Sequence, residues 1–518
     1  MQHLSSDVFK YAFVSTFPGD DSGSLKPRQT PGVLYSKTMP TPVNKPVLLA
    51  WSPELAAELG IAMPAEGDIN LLGGNLVTPS MQPYALCYAG HQFGNWAGQL
   101  GDGRAICLGE WETPAGDAWE IQLKGAGRTA YSRRGDGRAV LRSSLREYLM
   151  SEAMHYLGVP TTRALSLVGT GDQIVRDMFY DGRPAYEPGA IVARVAPSFL
   201  RFGNFEILAA RNEIESLTNL VNWTIERYYP HIEGDDKVLK WFGEVIERTA
   251  TMIVEWLRVG FVHGVMNTDN MSVLGLTIDY GPFSFLDNYD PNFTPNTTDL
   301  PGRRYAFGQQ ANIAYWNLSC LANALVPMFP DTDQLAEQLK TYEDIYWSKY
   351  YAMMASKLGL DSVRKEDVTL FQNIEEMLTS IQPDMTIFYQ LLIDLPLDTS
   401  DKDTIVNHFR DSFYDALSAA GSEQLYSVIT NYIIRRKTNA GSDEDTRLSM
   451  MKSNPRFILR NYLLHQAIEE LEKGNNELFL KLQEAIKDPY SKRFDEFYEI
   501  RPGWATQMAG CSMLSCSS

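Results

Sequence analysis

Strand-like and helix-like periodicity are segregated along this chain, and that segregation limits its fold more than any other feature. Residues 84–137 are Gly-rich and strand-like, with Ala105–Glu112 and Ala118–Lys124 flanking Thr113-Pro-Ala-Gly-Asp117. Two strand-length runs around a five-residue Pro/Gly turn predict a β-hairpin. Leu141, Leu145, Tyr148, Leu149, Ala153 and Tyr156 recur at helical spacing. They predict a helix over 138–157, ended by Gly158 and Pro160. Residues 164–196 alternate again, as strands do. From about 205 onward a 3.6-residue period dominates, with helices expected over 212–229, 237–258, 311–326, 332–358, 366–381, 407–420 and 455–473. Strands followed by helices indicate an α+β chain.

The 518 residues allow several units of roughly 150 residues each. An irregular extension is expected over 1–80, Pro-rich between Pro27 and Pro46. It holds one short helix near 52–59, with Ser52 as a simple N-cap. A β-rich lobe follows over 81–205, then helical regions over 206–330 and 331–509, and a small, polar, mobile tail over 510–518. The net charge of −18 argues against a nucleic-acid partner, because phosphate backbones repel an acidic face. No run of about 18 apolar residues is present, so no membrane span is expected. Met1-Gln-His-Leu-Ser-Ser-Asp7 lacks the basic and apolar regions of a signal peptide. The cysteines at 87, 107, 320, 511 and 516 have no metal-ligand spacing. A reducing, cytoplasmic setting and a monomer are expected.

The segment His263-Gly-Val-Met-Asn-Thr-Asp-Asn270, with Asp279-Tyr-Gly281 nine residues on, carries the chemistry. Kinase loops run His-Arg-Asp-x-x-x-x-Asn and then Asp-Phe-Gly, the first Asp serving as base and the Asn and second Asp holding metal. With His263 aligned, Asn270 falls at the metal-binding Asn and Asp279 at the second Asp. The base position is Val265, which takes no proton, while Asp269 stands beside the Asn. Asn270 and Asp279 are hard oxygen donors, as Mg2+ or Mn2+ requires. His263 reads as structural.

Upstream, Gly98-Gln-Leu-Gly-Asp-Gly-Arg104 precedes the hairpin. It is either an anion-binding nest or a plain tight turn. Lys124 ends the second hairpin strand, and Glu147 lies amid apolar helix residues, where a carboxylate needs a cationic partner. A strand Lys paired with a helix Glu grips phosphates in kinases. Asp136, before Gly137, caps the helix or contacts a nucleotide. Arg194 and Arg201 suit phosphate oxygens.

His91-Gln-Phe-Gly-Asn-Trp-Ala-Gly-Gln-Leu-Gly-Asp-Gly-Arg104, Gln122-Leu-Lys-Gly-Ala-Gly127, Arg133-Arg-Gly-Asp-Gly-Arg138 and the loop through Asp279-Tyr-Gly-Pro-Phe283 together resemble the selenoprotein O family, whose bacterial members are also called the YdiU family. The likeness extends from about residue 30 to the end. It implies a protein-kinase-like bilobal fold with extra C-terminal helices. It also implies ATP bound in reverse and AMP moved onto protein hydroxyls. Carried over, the nucleotide contacts fall on Gly101, Gly103, Arg104, Lys124, Asp136, Gly137, Arg194, Arg201 and Asp279. The Mg2+ or Mn2+ ligands fall on Asn270 and Asp279, and the base on Asp269, with Glu147 holding Lys124. Some members carry selenocysteine third from the C-terminus. Cys516 stands there in this chain, and a reversible disulfide or mixed disulfide is expected of it.

The resemblance leads to a protein adenylyltransferase acting on Ser, Thr or Tyr of other proteins and of itself. A donor role for UTP with Mn2+, or a catalytically inactive pseudokinase, are the alternatives. Val265 at the kinase base position argues against a small-molecule kinase.

Overall fold

The computed structural model describes residues 1–178, 182–506, 508, 510, 511, 514 and 515. Its strands are β1 (Gly19–Asp20), β2 (Tyr35–Lys37), β3 (Val47–Trp51), β4 (Tyr84–Leu86), β5 (Ala89–Gln92), β6 (Asn95–Gln99), β7 (Ala105–Glu112), β8 (Ala118–Lys124), β9 (Arg163–Arg176), β10 (Ala185–Ala196), β11 (Phe261–Val262) and β12 (Ser284–Phe285). Eight form one sheet in the order β1-β2-β4-β7-β8-β10-β9-β3. Its pairs are antiparallel except β1 with β2. The expected hairpin is β7 and β8, with Ala105 opposite Lys124.

Helices α1 (Ala12–Thr16), α2 (Pro53–Leu59) and α3 (Glu66–Leu72) precede the hairpin, and α4 (Leu141–Tyr156) follows it. After the sheet come α5 (Phe202–Ala210), α6 (Ile214–Tyr228), α7 (Lys237–Val259), α8 (Gln310–Leu325) and α9 (Asp333–Leu358). The rest are α10 (Asp367–Ile381), α11 (Met385–Ile393), α12 (Lys402–His408), α13 (Ala419–Arg436), α14 (Asp443–Ser453), α15 (Asn461–Glu472) and α16 (Glu477–Ala485). The chain is therefore α+β, with its large sheet confined to the first 200 residues.

Strand alternation splits the sheet into two faces. Ile106, Leu108, Ile121, Leu123, Ile191, Ala193 and Val195 pack with Leu55, Leu59, Leu71 and Leu72 of α2 and α3. The opposite face carries Cys107, Val192 and Ala196 into the main core with Leu145, Leu149 and Met150 of α4. Lys124 and Arg194 have the parity of this second face, which points them at α4. That placement decides where the polar network forms.

Several expectations need correction. Ser52 makes no cap bond at α2; its hydroxyl donates to Glu152 at 3.0 Å instead. Asp136 does not cap α4, which starts five residues later behind Val140. The helix expected over 407–420 is replaced by the end of α12 and a 3-10 turn at Arg410–Ser412. The following helix begins only after Ser418, whose hydroxyl accepts from the Gly421 N–H. The helix expected from 455 starts at Asn461, because the Arg456 and Phe457 N–H groups are taken by the Pro489 carbonyl. In the tail, Cys511, Leu514 and Ser515 are buried. Leu514 exchanges backbone hydrogen bonds with the Pro295–Thr297 segment. Cys516 lies outside the described residues.

Candidate active site

Four elements converge on one carboxylate. Asp279 accepts from Arg194 at 2.6 Å, from Arg201 at 2.5 Å and from Lys124 at 3.2 Å. Lys124 also meets Glu147 at 2.7 Å, and Glu147 in turn meets Arg194 at 2.9 Å. The Lys124–Glu147 pair expected from the sequence thus forms, within a larger network. Arg194 stands opposite Gln122 across β10 and β8, and its guanidinium donates to the Gln122 side-chain oxygen. Arg201 starts α5, with its N–H held by the Asn204 side chain at 2.9 Å. Three cations face three carboxylates here, Asp102 lying 3.8 Å from Arg201, and all are buried except the partly open Asp279. Fixed cations gathered in this way can meet several negative charges on one ligand.

Burial alone would raise the Asp279 pKa, but Arg201, Lys124 and Arg194 hold it well below the usual carboxylate range. The same burial lowers the Lys124 pKa, with Glu147 and Asp279 opposing. Asp279 has φ 58°, a left-handed conformation that Asp tolerates better than most residues. Thr162 and Thr161 tie this loop to β9 through the Thr277 backbone.

Asp269 is attached to the same network. Arg201 donates to its backbone carbonyl at 2.7 Å while gripping Asp279, so one guanidinium spans both loop acids. The Asp269 carboxylate is buried, and burial pushes its pKa up to about 6 against the pull of Arg201 and of Gln92. Gln92 donates to Oδ2 at 3.3 Å. Oδ1 is buried without a hydrogen-bond partner. A Cβ on Gly90 would stand 2.5 Å from that Oδ1, so only glycine leaves room for the acid. An anionic oxygen with an idle lone pair and a pKa near neutrality has the properties of a general base.

Asn270 donates its amide N–H to the Val265 carbonyl at 2.9 Å, which leaves its Oδ1 without a hydrogen bond among the described residues. That oxygen and the Asp279 carboxylate are hard donors of the type a divalent cation takes, although Lys124, Arg194 and Arg201 already engage both Asp279 oxygens. The His263 ring is stacked on Trp256 at 5.3 Å and bonded to the Ile278 carbonyl at 2.9 Å. Burial lowers its pKa, so it supports the loop as a neutral ring.

The remaining candidates sit differently. Arg104 makes no side-chain hydrogen bond or ion pair among the described residues, yet lies near enough to Lys124 to disfavour its charge. Gly101 and Gly103 pack against Tyr131: a Cβ would come to 2.5 Å from its ring and 2.9 Å from its carbonyl, respectively. Close packing therefore accounts for both glycines. Asp136 is outside the network, in a bidentate pair with Arg176 at 2.8 Å. Gly137 has φ 73°, and a Cβ there would be 2.2 Å from the Gly127 backbone.

Sequence reasoning assigned no role to Asp102, Gln92 and Tyr88. Asp102 is buried, accepts from the Leu86 N–H at 3.1 Å and from Gln122 at 3.3 Å, and lies 3.8 Å from Arg201. Tyr88 lies under the Arg201 guanidinium, 4.5 Å from its ring centre. Gln92 and Asp102 fall within the 91–104 segment, so their location was legible although their roles were not.

Residues 28–487 match the family model described as "Protein adenylyltransferase SelO". The chain is 61% identical over 518 residues to a protein of Cytophaga hutchinsonii named "Protein nucleotidyltransferase YdiU", covering 100% of both. It is 53% identical to one of that name from Aromatoleum aromaticum, covering 99% of each, and 49% identical to one from Xanthomonas campestris pv. campestris over the full length of both. The chain belongs to the SelO/YdiU family of protein nucleotidyltransferases.

Proposed function

We propose that this chain transfers AMP from ATP to Ser, Thr or Tyr hydroxyls of proteins, itself included, and releases pyrophosphate. The observation that carries the reading is the Arg201 bridge, which joins the Asp269 backbone to the Asp279 carboxylate. It sets an acid of pKa about 6 beside a cluster of fixed cations. Asp269 takes the acceptor hydroxyl proton. The freed oxygen attacks the α-phosphorus, and the bond from that phosphorus to the bridging oxygen of the β-phosphate breaks with its electron pair. Pyrophosphate leaves with several negative charges, and preorganised cations aimed at that charge are the largest source of rate enhancement available here. Lys124, Arg194, Arg201 and the uncommitted Arg104 supply them. Asn270 and Asp279 would hold Mg2+ or Mn2+, which supplies Lewis-acid stabilisation of phosphoryl oxygens when bound.

This reading requires ATP to lie with its outer phosphates toward Lys124 and the arginines, so that the α-phosphate faces Asp269. It goes with a kinase-like two-lobed arrangement, the first lobe over 81–205 and the second beginning at 206. Gly101, Gly103, Asp136 and Gly137 then line the nucleotide path as backbone and turn residues. UTP with Mn2+ is the alternative donor, and nothing in the charged cluster discriminates between bases.

Incubation with ATP labelled at either the α- or the γ-phosphate tests the proposal. Label retained on protein from the α-position alone supports it. Retention from the γ-position alone rejects it in favour of a kinase, and no covalent label with saturable ATP binding rejects it in favour of a pseudokinase.

A further inference from the structure

Behind the loop that bears Asp269, three side chains from three elements meet. They are His91 of β5, Glu206 of α5 and Cys320 of α8, and their ligand atoms all lie within 4.8 Å of one another. We propose that they form a second metal site, distinct from Asn270 and Asp279, selective for a borderline-soft divalent ion such as Zn2+.

The donor set decides the class of ion. Imidazole and thiolate favour Zn2+ over Mg2+, which prefers oxygen alone. Ligand bonds of about 2.0–2.3 Å bring all three donors onto one ion with side-chain shifts of about 1 Å. The His91 Nδ1 and Glu206 Oε1 are 2.6 Å apart. The other Glu206 oxygen, Oε2, is buried without a hydrogen-bond partner, on a side chain only 3% exposed. A buried carboxylate oxygen with nothing to accept from is costly, and an ion on it removes that cost. Cys320 gives up its thiol proton to solvent on binding, and His91 binds as the neutral ring. Glutamate and thiolate together then neutralise the ion.

The surroundings suit such a site. The His91 ring lies between Trp96 at 5.0 Å and Trp316 at 5.3 Å. Trp316 is one turn before Cys320 on α8 and is covered by the Arg304 guanidinium at 4.6 Å. These ring contacts hold the imidazole in place. His91 is about a quarter exposed, which leaves an entry path and room for a water as fourth ligand. The site also touches the chemistry. The His91 N–H donates to the Thr268 hydroxyl at 2.8 Å, and the next residue, Gln92, holds the Asp269 carboxylate. An ion here would stiffen the strand that positions the base.

Co2+ tests this on the full-length chain after chelator treatment. The expected result is one equivalent bound with the visible bands of a tetrahedral ion and a near-ultraviolet sulfur-to-metal band, displaced by Zn2+ and lost in Cys320→Ser. An ion at Asn270 and Asp279 has no sulfur and gives no such band. No sulfur-to-metal band in the unaltered chain, or a band undiminished in Cys320→Ser, overturns the proposal. If Cys320→Ser fails to fold by circular dichroism, His91→Ala at the open side decides. Loss of the tetrahedral spectrum supports the site, and an unchanged spectrum refutes it.

Discussion

Asp269→Asn should stabilise the chain while abolishing transfer. Burial raises the Asp269 pKa from 3.8 to about 6. That rise corresponds to about 3 kcal/mol between the two protonation states. The sign follows from linkage. Between pH of about 4 and 6 the folded chain holds the proton more tightly than the unfolded chain, so its stability falls as pH rises through that window and is flat above it. Asparagine mimics the protonated acid: it keeps the acceptor for Gln92 and places an N–H where the acid's own hydroxyl would sit. The variant should therefore gain about 3 kcal/mol above pH 7 and nothing below pH 4. With an unfolding entropy of about 2.1 cal/mol/K per residue, that gain raises the Tm of a 518-residue chain by about 3 °C. Thermal melts at pH 7.5 and pH 4, run beside the α-label assay, measure both effects. In the unaltered chain, transfer should fall with unit slope as pH drops below about 6, because the base is then protonated. A variant that melts lower at pH 7.5, or a Tm gap that persists at pH 4, would refute the view that this carboxylate is held at an energetic disadvantage for catalysis.

Two further perturbations probe the same geometry. Gly90→Ala places a Cβ 2.5 Å from Asp269 Oδ1 and should cost on the order of 100-fold in transfer rate, as displaced catalytic groups do, with ATP affinity unchanged by equilibrium titration. Glu147→Gln leaves Lys124 and Arg194 short of one buried counter-charge. It should lower stability by about 3–5 kcal/mol in urea unfolding, and an effect below 1 kcal/mol would mean that Asp279 and Asp102 balance the cluster without it.

The hairpin over 105–124, the long helix around Leu145 and the order of strands before helices were legible because each rests on local periodicity. The Lys124–Glu147 pair was legible for a related reason: a carboxylate set among apolar helix residues demands a cation. Less was legible where a local signal competes with a tertiary one. Ser52 has the composition of a helix cap, but Glu152, a hundred residues away, takes its hydroxyl. Asp136 looks like a cap for α4, but Arg176 takes its carboxylate. The segment before Asn461 has helical content, but its N–H groups are claimed by Pro489.

Residue types and their order along the chain settled the α+β class and the presence of a loop rich in oxygen donors, since periodicity and composition are local properties. They could not settle which charges neutralise which. Asp279 meets Arg194, Arg201 and Lys124 only because the sheet face, the start of α5 and the loop after β11 converge on one point. Burial there sets the pKa of Asp269, the cost of every unpaired charge and the room left by Gly90. Solvent exclusion is a property of the assembled fold, and through it the tertiary structure decides the chemistry of this site.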